Sequence, residues 1–265
     1  MNGAPVLSAL DLALAALLVL LNAGLSLWLQ LGLARSLVVA GARTVVQLLL
    51  VGLVLKTVFA LDSPFLVGAV SLAMTGAAAW EIWQRQERRF GGLWGAGIGA
   101  GTALMATFLV TAFAVATLHP SPWYAPQVVI PLVGIVLGSV MNGVAISLNA
   151  FNTAVVRERV AIEARLALGA SRRAALKPLQ RAALKSGLIP VINQMSAAGI
   201  ITLPGMMTGQ ILAGMAPFEA AKYQILILFL LAGGAGLGAL AATQVATLRI
   251  SDERHRLRLD RLRPR

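Results

Sequence analysis

The sequence predicts an all-α fold, a polytopic membrane helix bundle of about seven transmembrane helices with the N-terminus out and the C-terminus in. Three observations predict it. The 265 residues are 58% hydrophobic and only 12% charged, about half the charge of an ordinary soluble domain, and the mean hydropathy is +0.81. Apolar runs of about 20 residues, the length that crosses ~30 Å of hydrocarbon, recur from end to end. The segments between those runs are alternately basic and neutral.

The runs cover roughly 7–30, 37–60, 64–83, 92–118, 127–150, 186–213 and 222–248. The first, Leu7 to Leu33, has neither a basic start nor a small-residue cleavage site, so it reads as a span and not as a signal peptide. Alternate connectors hold one, three, eight and seven basic residues (Arg35; Arg85, Arg88 and Arg89; Arg157 to Lys185; Arg249 to Arg265), 19 of the 22 Lys and Arg. The positive-inside rule puts that side in the cytosol. The net charge of +12 is therefore membrane-edge charge and not a nucleic-acid footprint. One integral domain, 1–265, is expected in the cell inner membrane, with a cytosolic segment 151–185 and a basic tail 249–265. The cytosolic segment reads as two short helices around Gly169-Ala170-Ser171. The tail, which alternates basic residues with Leu, reads as lying on anionic lipid or continuing the last helix into water.

Several chemistries are excluded at once. With no cysteine there is no disulfide, thiolate metal site or cysteine nucleophile. No phosphate-cradling G-x-x-x-x-G-K-[ST] string occurs, so any ATP must be handled by a partner, and no cofactor is called for. The glycine-rich strings GAGIGAG (Gly95 to Gly101) and GGAGLG (Gly233 to Gly238) lie inside apolar runs. They read as helix-packing glycines, with Gly97 and Gly101, or Gly234 and Gly238, at the close approaches.

Two patterns carry function. The first is Glu163-Ala164-Arg165-Leu-Ala-Leu-Gly169, followed by Ala170, Ser171 and Arg172-Arg173. It has the Glu-Ala-x-x-x-x-Gly spacing of the coupling loops of ABC permeases, where a short helix ended by glycine projects toward an ATPase. It departs from the importer pattern, in which Leu-Pro follows sooner than Leu188-Ile189-Pro190 does here. The second pattern is polar residues inside apolar runs. Arg43 and Gln47 share a face of the second run, Asn142 and Asn149 lie in the fifth, and Asn193, Gln194, Ser196, Thr202, Thr208 and Gln210 form a stripe in the sixth. Pro204-Gly205 should interrupt that sixth helix at mid-membrane and free carbonyls for a hydrated path. The expected path residues are Arg43, Gln47, Asn142, Asn193, Gln194, Thr202, Pro204, Met206, Met207 and Gln210.

The string Ile201-Thr-Leu-Pro-Gly-Met-Met-Thr-Gly-Gln-Ile-Leu-Ala-Gly214, then Ala-Pro and Ala221-Lys-Tyr-Gln224, resembles the LPGMMxGxIxAGxxPxxAxxYQ signature of the FetB/YbbM family (UPF0014). ARTVVQLLLVGLVLKTVF, PQVVIPLVGIVLGSVMN and the GAS turn extend the likeness over most of the chain. The resemblance implies the permease of an ABC transporter for export of iron or a related metal species, with a role in oxidative stress. It also implies a separate ATP-binding subunit resembling FetA and a homodimer of permease subunits in the lipid. Plant aluminium-tolerance proteins resemble the same family. The coupling residues it implies are Glu163, Ala164, Gly169, Ala170 and Ser171.

The residues alone say little of metal. His119 and His255 stand in an outer loop and the basic tail without partners at ligand spacing. Met195, Met206, Met207 and Met215 suit packing better than hard-metal ligation, and Glu81 is the one carboxylate that could serve at the cytosolic end of the third run. An ion-coupled secondary transporter, the alternative reading, would place an ionisable residue near mid-membrane, and an intramembrane enzyme would need a catalytic constellation.

Overall fold

The computed structural model describes residues 8–252, 254 and 256–264, so His255 lies outside the described residues. The chain divides into two compact units, Met1–Ser63 with Leu212–Gly214, and Pro64–Ile211 with Met215–Arg265. The first unit carries α1 (Ala9–Trp28) and α2 (Ala34–Leu61). Ser8 opens α1 through a capping box: its backbone N–H donates to Asp11 Oδ2 at 2.8 Å, and the Asp11 N–H donates to Ser8 Oγ at 3.2 Å. Asp62, with φ of 41°, and Pro64 end α2 and start the next helix. Leu and Val side chains cover both helices, with Trp28 at the end of α1, and stay largely exposed, as lipid-facing surface requires.

The second unit holds α3 (Pro64–Gln84), β1 (Arg88–Phe90), α4 (Leu93–Leu118), α5 (Pro126–Arg157), α6 (Arg159–Ala167), α7 (Arg172–Ala197), α8 (Gly205–Leu212), α9 (Pro217–Arg249) and β2 (Leu262–Pro264). Its core is the seam where α5 meets α9, α7, α4 and α3, with Val136, Val140, Val144, Leu148 and Phe151 of α5 fully buried. Small residues let the backbones close there. Gly143 sits 3.0 Å, at its would-be β-carbon, from the Ala235 carbonyl oxygen, and Gly238 sits 2.8 Å from Val140 Cγ1. Gly234 and Gly238 therefore pack as expected. In the earlier string the close approaches belong to Gly95, against the Phe90 carbonyl, and Gly99, against Ile82, whereas Gly97 and Gly101 have nothing within 4 Å. The phase of the helix, and not the four-residue spacing itself, chooses which glycines face a neighbour.

At 32 residues α5 is about 48 Å long, well beyond the ~30 Å of hydrocarbon. Toward its C-terminal end Asn149 and Asn152 hold the segment after α3. Asn149 Oδ1 accepts from the Glu87 N–H at 2.8 Å, and Asn152 Nδ2 donates to the Arg88 carbonyl at 2.9 Å. The same segment forms β1, and β2 pairs with it antiparallel, placing Arg89 opposite Arg263 and Phe90 opposite Leu262. This corrects the expectation for the tail. After α9 the chain folds back, with Ser251 bridged to Leu257 and Leu257 and Leu262 packed onto the core, so the alternate leucines serve burial.

Among the described residues six helices are long and apolar enough to cross a membrane: α1 to α5 and α9. The run at 186–213 is not a single helix. Its first part is the end of α7, which begins at Arg172 and carries Lys177, Arg181 and Lys185 in its first 14 residues. The chain leaves the helix at Ala198, turns through Gly199 (φ of 83°), and resumes as α8 at Gly205.

Candidate functional site

Two places gather the residues singled out by the sequence. The first is the connection between α5 and α7. α6 is tethered by Ile162, which is fully buried, and by Arg165, whose Nη1 donates to the Ala175 carbonyl at 3.2 Å. It ends in a Schellman motif: the Ala170 N–H donates to the Arg165 carbonyl and the Gly169 N–H to the Leu166 carbonyl, both at 3.0 Å, with Gly169 at φ of 89°. Ser171 then caps α7, its Oγ accepting from the Ala174 N–H at 3.3 Å. Each residue of the Gly169-Ala170-Ser171 turn thus has a backbone task. Glu163 and Ala164 lie on the exposed side of α6, Glu163 in a 3.6 Å pair with Arg159. At the two ends of α6 stand exposed apolar side chains, Val160 (77%) and Leu168 (88%).

Sequence reasoning missed what borders this element. The folded-back C-terminal segment closes a groove of about 390 Å³ against α6, lined by Glu163, Leu166, Arg254, Arg256 and Leu257. Asp252 holds this segment in shape. The Arg256 N–H donates to its Oδ1 at 2.9 Å and Arg256 Nε to its Oδ2 at 2.8 Å, and the backbone bond first of all keeps the carboxyl below its ordinary pKa. The Arg258 side chain does the same for Asp260. No local sequence signal marks the pairing, because β1 and β2 are three residues each and far apart in the chain.

The second place is a cleft of about 240 Å³ among α5, α7 and α9, bordered by Ser139, Asn142, Pro190, Gln194 and Leu231. Asn142 and Gln194, from different helices, come together here. Asn142 Oδ1 accepts from Arg85 Nη1 at 2.8 Å, and Arg85 Nε lies 3.2 Å from Glu81 Oε1, so the cleft is linked through Arg85 to a carboxylate. Pro190 has no N–H, which leaves the Ser186 carbonyl without its helical donor. The lining offers neutral amides and carbonyls of the kind that receive hydrated cations or polar solutes. Among the described residues no three His, Cys, Asp or Glu side chains come together as a metal site would need.

The other expected path residues are placed differently. Arg43 and Gln47 sit one turn apart on α2, exposed, in the first unit. Asn193 is exposed on α7 but does not border the cleft. Thr202 closes the turn after α7, its N–H donating to the Ala197 carbonyl at 3.0 Å and its carbonyl accepting from Gly199 at 2.9 Å. Pro204, expected to interrupt a helix, instead precedes one. Its carbonyl accepts the Thr208 N–H at 3.1 Å and Oγ1 at 3.2 Å, because the helix has already ended six residues earlier at Ala198. Met206, Met207 and Gln210 lie on α8, and Gln210 Oε1 is buried without a hydrogen bond.

The chain is 40% identical over 218 residues to the UPF0014 membrane protein slr1647 of Synechocystis sp., covering 80% of this chain and 82% of that protein. It is 32% identical over 257 residues to the probable iron export permease protein FetB of Escherichia coli, covering 96% of each. It is 29% identical over 231 residues to the protein ALUMINUM SENSITIVE 3 of Arabidopsis thaliana, covering 87% and 83%. No solved structure matches it. A family profile described as "Uncharacterised protein family (UPF0014)" matches residues 9–250. This multi-pass membrane protein therefore belongs to the UPF0014 family.

Proposed function

We propose that this chain is the membrane-spanning permease subunit of an ATP-driven transporter, working as a homodimer with a separate ATP-binding subunit and exporting iron or a related metal species. The observation that carries the reading is α6. It is a short amphipathic helix outside the apolar spans, pinned by Ile162 and presenting Val160 and Leu168 to water at its two ends. Large apolar side chains that exposed outside a membrane are the anchors a protein partner buries. The helix joins two long core helices, α5 and α7, so a partner seated on it grips both. Iron as cargo rests on the name of the Escherichia coli relative, and the neutral Asn142–Gln194 cleft is where we place the path.

The homodimer draws on the turn after α7. Ile200 (90% exposed), Ile201 (80%) and Leu203 (65%) sit on non-helical backbone. Such backbone is tolerated at membrane depth only when protein or a water-filled cavity covers it, a cover a second copy would supply. The last 12 residues of α7 and the eight of α8 have a summed length of about 30 Å, so a seventh crossing made of both would need them end to end.

The test is reconstitution in proteoliposomes with a separate ATP-binding subunit resembling FetA. Val160→Asp with Leu168→Asp is expected to abolish co-purification of that subunit and ATP-dependent iron movement while the membrane domain stays monodisperse. Undiminished co-purification would overturn the assignment of α6.

A further inference from the structure

We infer that the seam between α4 and α9 is a binding site for one anionic phospholipid from the basic side of the membrane. Two features that the transport reading leaves unused meet there. The first is an apolar groove of about 600 Å³ running along both helices, lined by Trp94, Gly97, Gly101, Thr102, Met105 and Val245. It exists because Gly97 and Gly101 lack side chains toward it. The hydroxyl of Thr102 is spent inside α4, donating to the Ile98 carbonyl at 2.7 Å, so the groove presents no unmet polar group. A dry, open channel within an apolar span suits hydrocarbon.

The second feature is a cavity of about 290 Å³ at the head of the same groove, bordered by Gly91, Gly92, Arg249, Asp260, Arg261 and Arg263. Trp94 belongs to the groove and Arg249 to the cavity, and the Arg249 guanidinium lies 4.7 Å above the Trp94 ring, so the two adjoin. Arg249 Nε is buried and makes no hydrogen bond. Asp260 is held by Arg258 at 2.8 Å and also faces Arg261, so it offsets part of the charge and leaves Arg249 and Arg263 as the cationic lining. α4 begins here at Gly92 with no side-chain cap, so the first turn of a 26-residue helix, apart from the Gly95 N–H that donates to the Gly92 carbonyl at 3.1 Å, presents its N–H groups at the positive end. The fold-back supplies the remaining charge, since β2 lays Arg263 across Gly91, where its Nε is 3.1 Å from the position a β-carbon would take.

A cationic cavity containing an unmet guanidinium donor, opening directly onto a hydrocarbon channel, fits a phosphodiester with an attached acyl chain. The phosphate meets Arg249, Arg263 and the α4 N-terminus, and the chain lies over Gly97 and Gly101. Cytoplasmic leaflets are rich in such lipids, and basic pockets between spans on that side take their headgroups.

The full-length protein in phosphatidylcholine nanodiscs, doped with lipid whose chains carry indole-quenching bromine, tests this. Brominated phosphatidylglycerol is expected to quench at about one-tenth the mole fraction that brominated phosphatidylcholine needs, as the loss of one charge-assisted contact would dictate. Trp94→Phe should remove the difference. Arg249→Gln with Arg263→Gln should equalise the two lipids, and Gly101→Leu should abolish the difference between them by filling the channel with the arginines intact. Equal quenching by both lipids in the unsubstituted protein overturns the inference, and that comparison decides the matter even where Gly101→Leu fails to fold. A folded Gly101→Leu protein that turns monomeric while keeping its lipid preference would assign the groove to contact between two copies, and also overturns it.

Discussion

Gly187 of α7 crosses Ser147 of α5 with no room for a side chain: a β-carbon at 187 would overlap Ser147 Oγ and fall 2.7 Å from the Gly143 carbonyl oxygen. Backbone cannot yield as a flexible side chain can, so Gly187→Ala is expected to destabilise the protein by about 1–3 kcal/mol, as overpacking does. Gly236, whose nearest neighbour is Leu188 Cδ2 at 3.9 Å, is the control. Thermal unfolding in detergent should show a clear loss for Gly187→Ala and little change for Gly236→Ala.

Gly169→Val tests the turn after α6. A β-branched residue at φ of 89° costs about 1–2 kcal/mol locally and disfavours the Schellman ending. The expected outcome is impaired ATPase stimulation with the membrane body intact. Glu163→Gln, which removes only an exposed pair with Arg159, should leave stability within about 0.5 kcal/mol, so any transport defect it causes is one of coupling.

The fold-back of the C-terminal segment is expected to loosen in acid. Asp252 and Asp260 have lowered pKa values in the folded chain, so their contribution is complete above the unfolded carboxylate value, about pH 4, and is lost as pH falls through the folded one. Hydrogen–deuterium exchange, corrected for intrinsic rate, should show residues 256–264 protected at pH 6 and released near pH 2. Asp252→Asn should release them at both.

Cysteine introduced singly into this cysteine-free chain maps the path. Asn142→Cys and Gln194→Cys border the cleft, and membrane-impermeant thiol reagents should label both in a way that changes with nucleotide on the ATP-binding subunit. Uniform inaccessibility at both would exclude the cleft.

Reporter fusions after Arg89 and Arg265 should both register cytosol, as the basic connectors require. An external signal at either would sink the topology.

What the sequence disclosed follows the range of the forces involved. Composition and charge alternation marked α1 to α5 and α9, because crossing hydrocarbon constrains about 20 contiguous residues at once. Gly169 and Ser171 were legible because caps are local. The run at 186–213 misled because its polar residues read as a stripe on one helix, whereas Gly199 and Thr202 close a turn that Pro204 only follows. The tail misled because Leu262 pairs with Phe90 of β1 and Leu257 packs beside Ser251 and α6, contacts with partners that are mostly distant in the chain. Of the residues proposed for the path, Asn142 and Gln194 meet only through the crossing of α5 and α7 at Gly143, Ser147 and Gly187.

α5 also has a mechanical reading. It is unbroken from Pro126 to Arg157, and Glu158 alone separates it from α6, so the linkage has one residue of slack. Its only internal proline, Pro131, lies near the opposite end, where the missing bond makes the rod compliant. A sideways stroke delivered to α6 would therefore swing α5 as a stiff lever about a soft far hinge, moving Asn142, close to the middle of the rod, by roughly half the stroke.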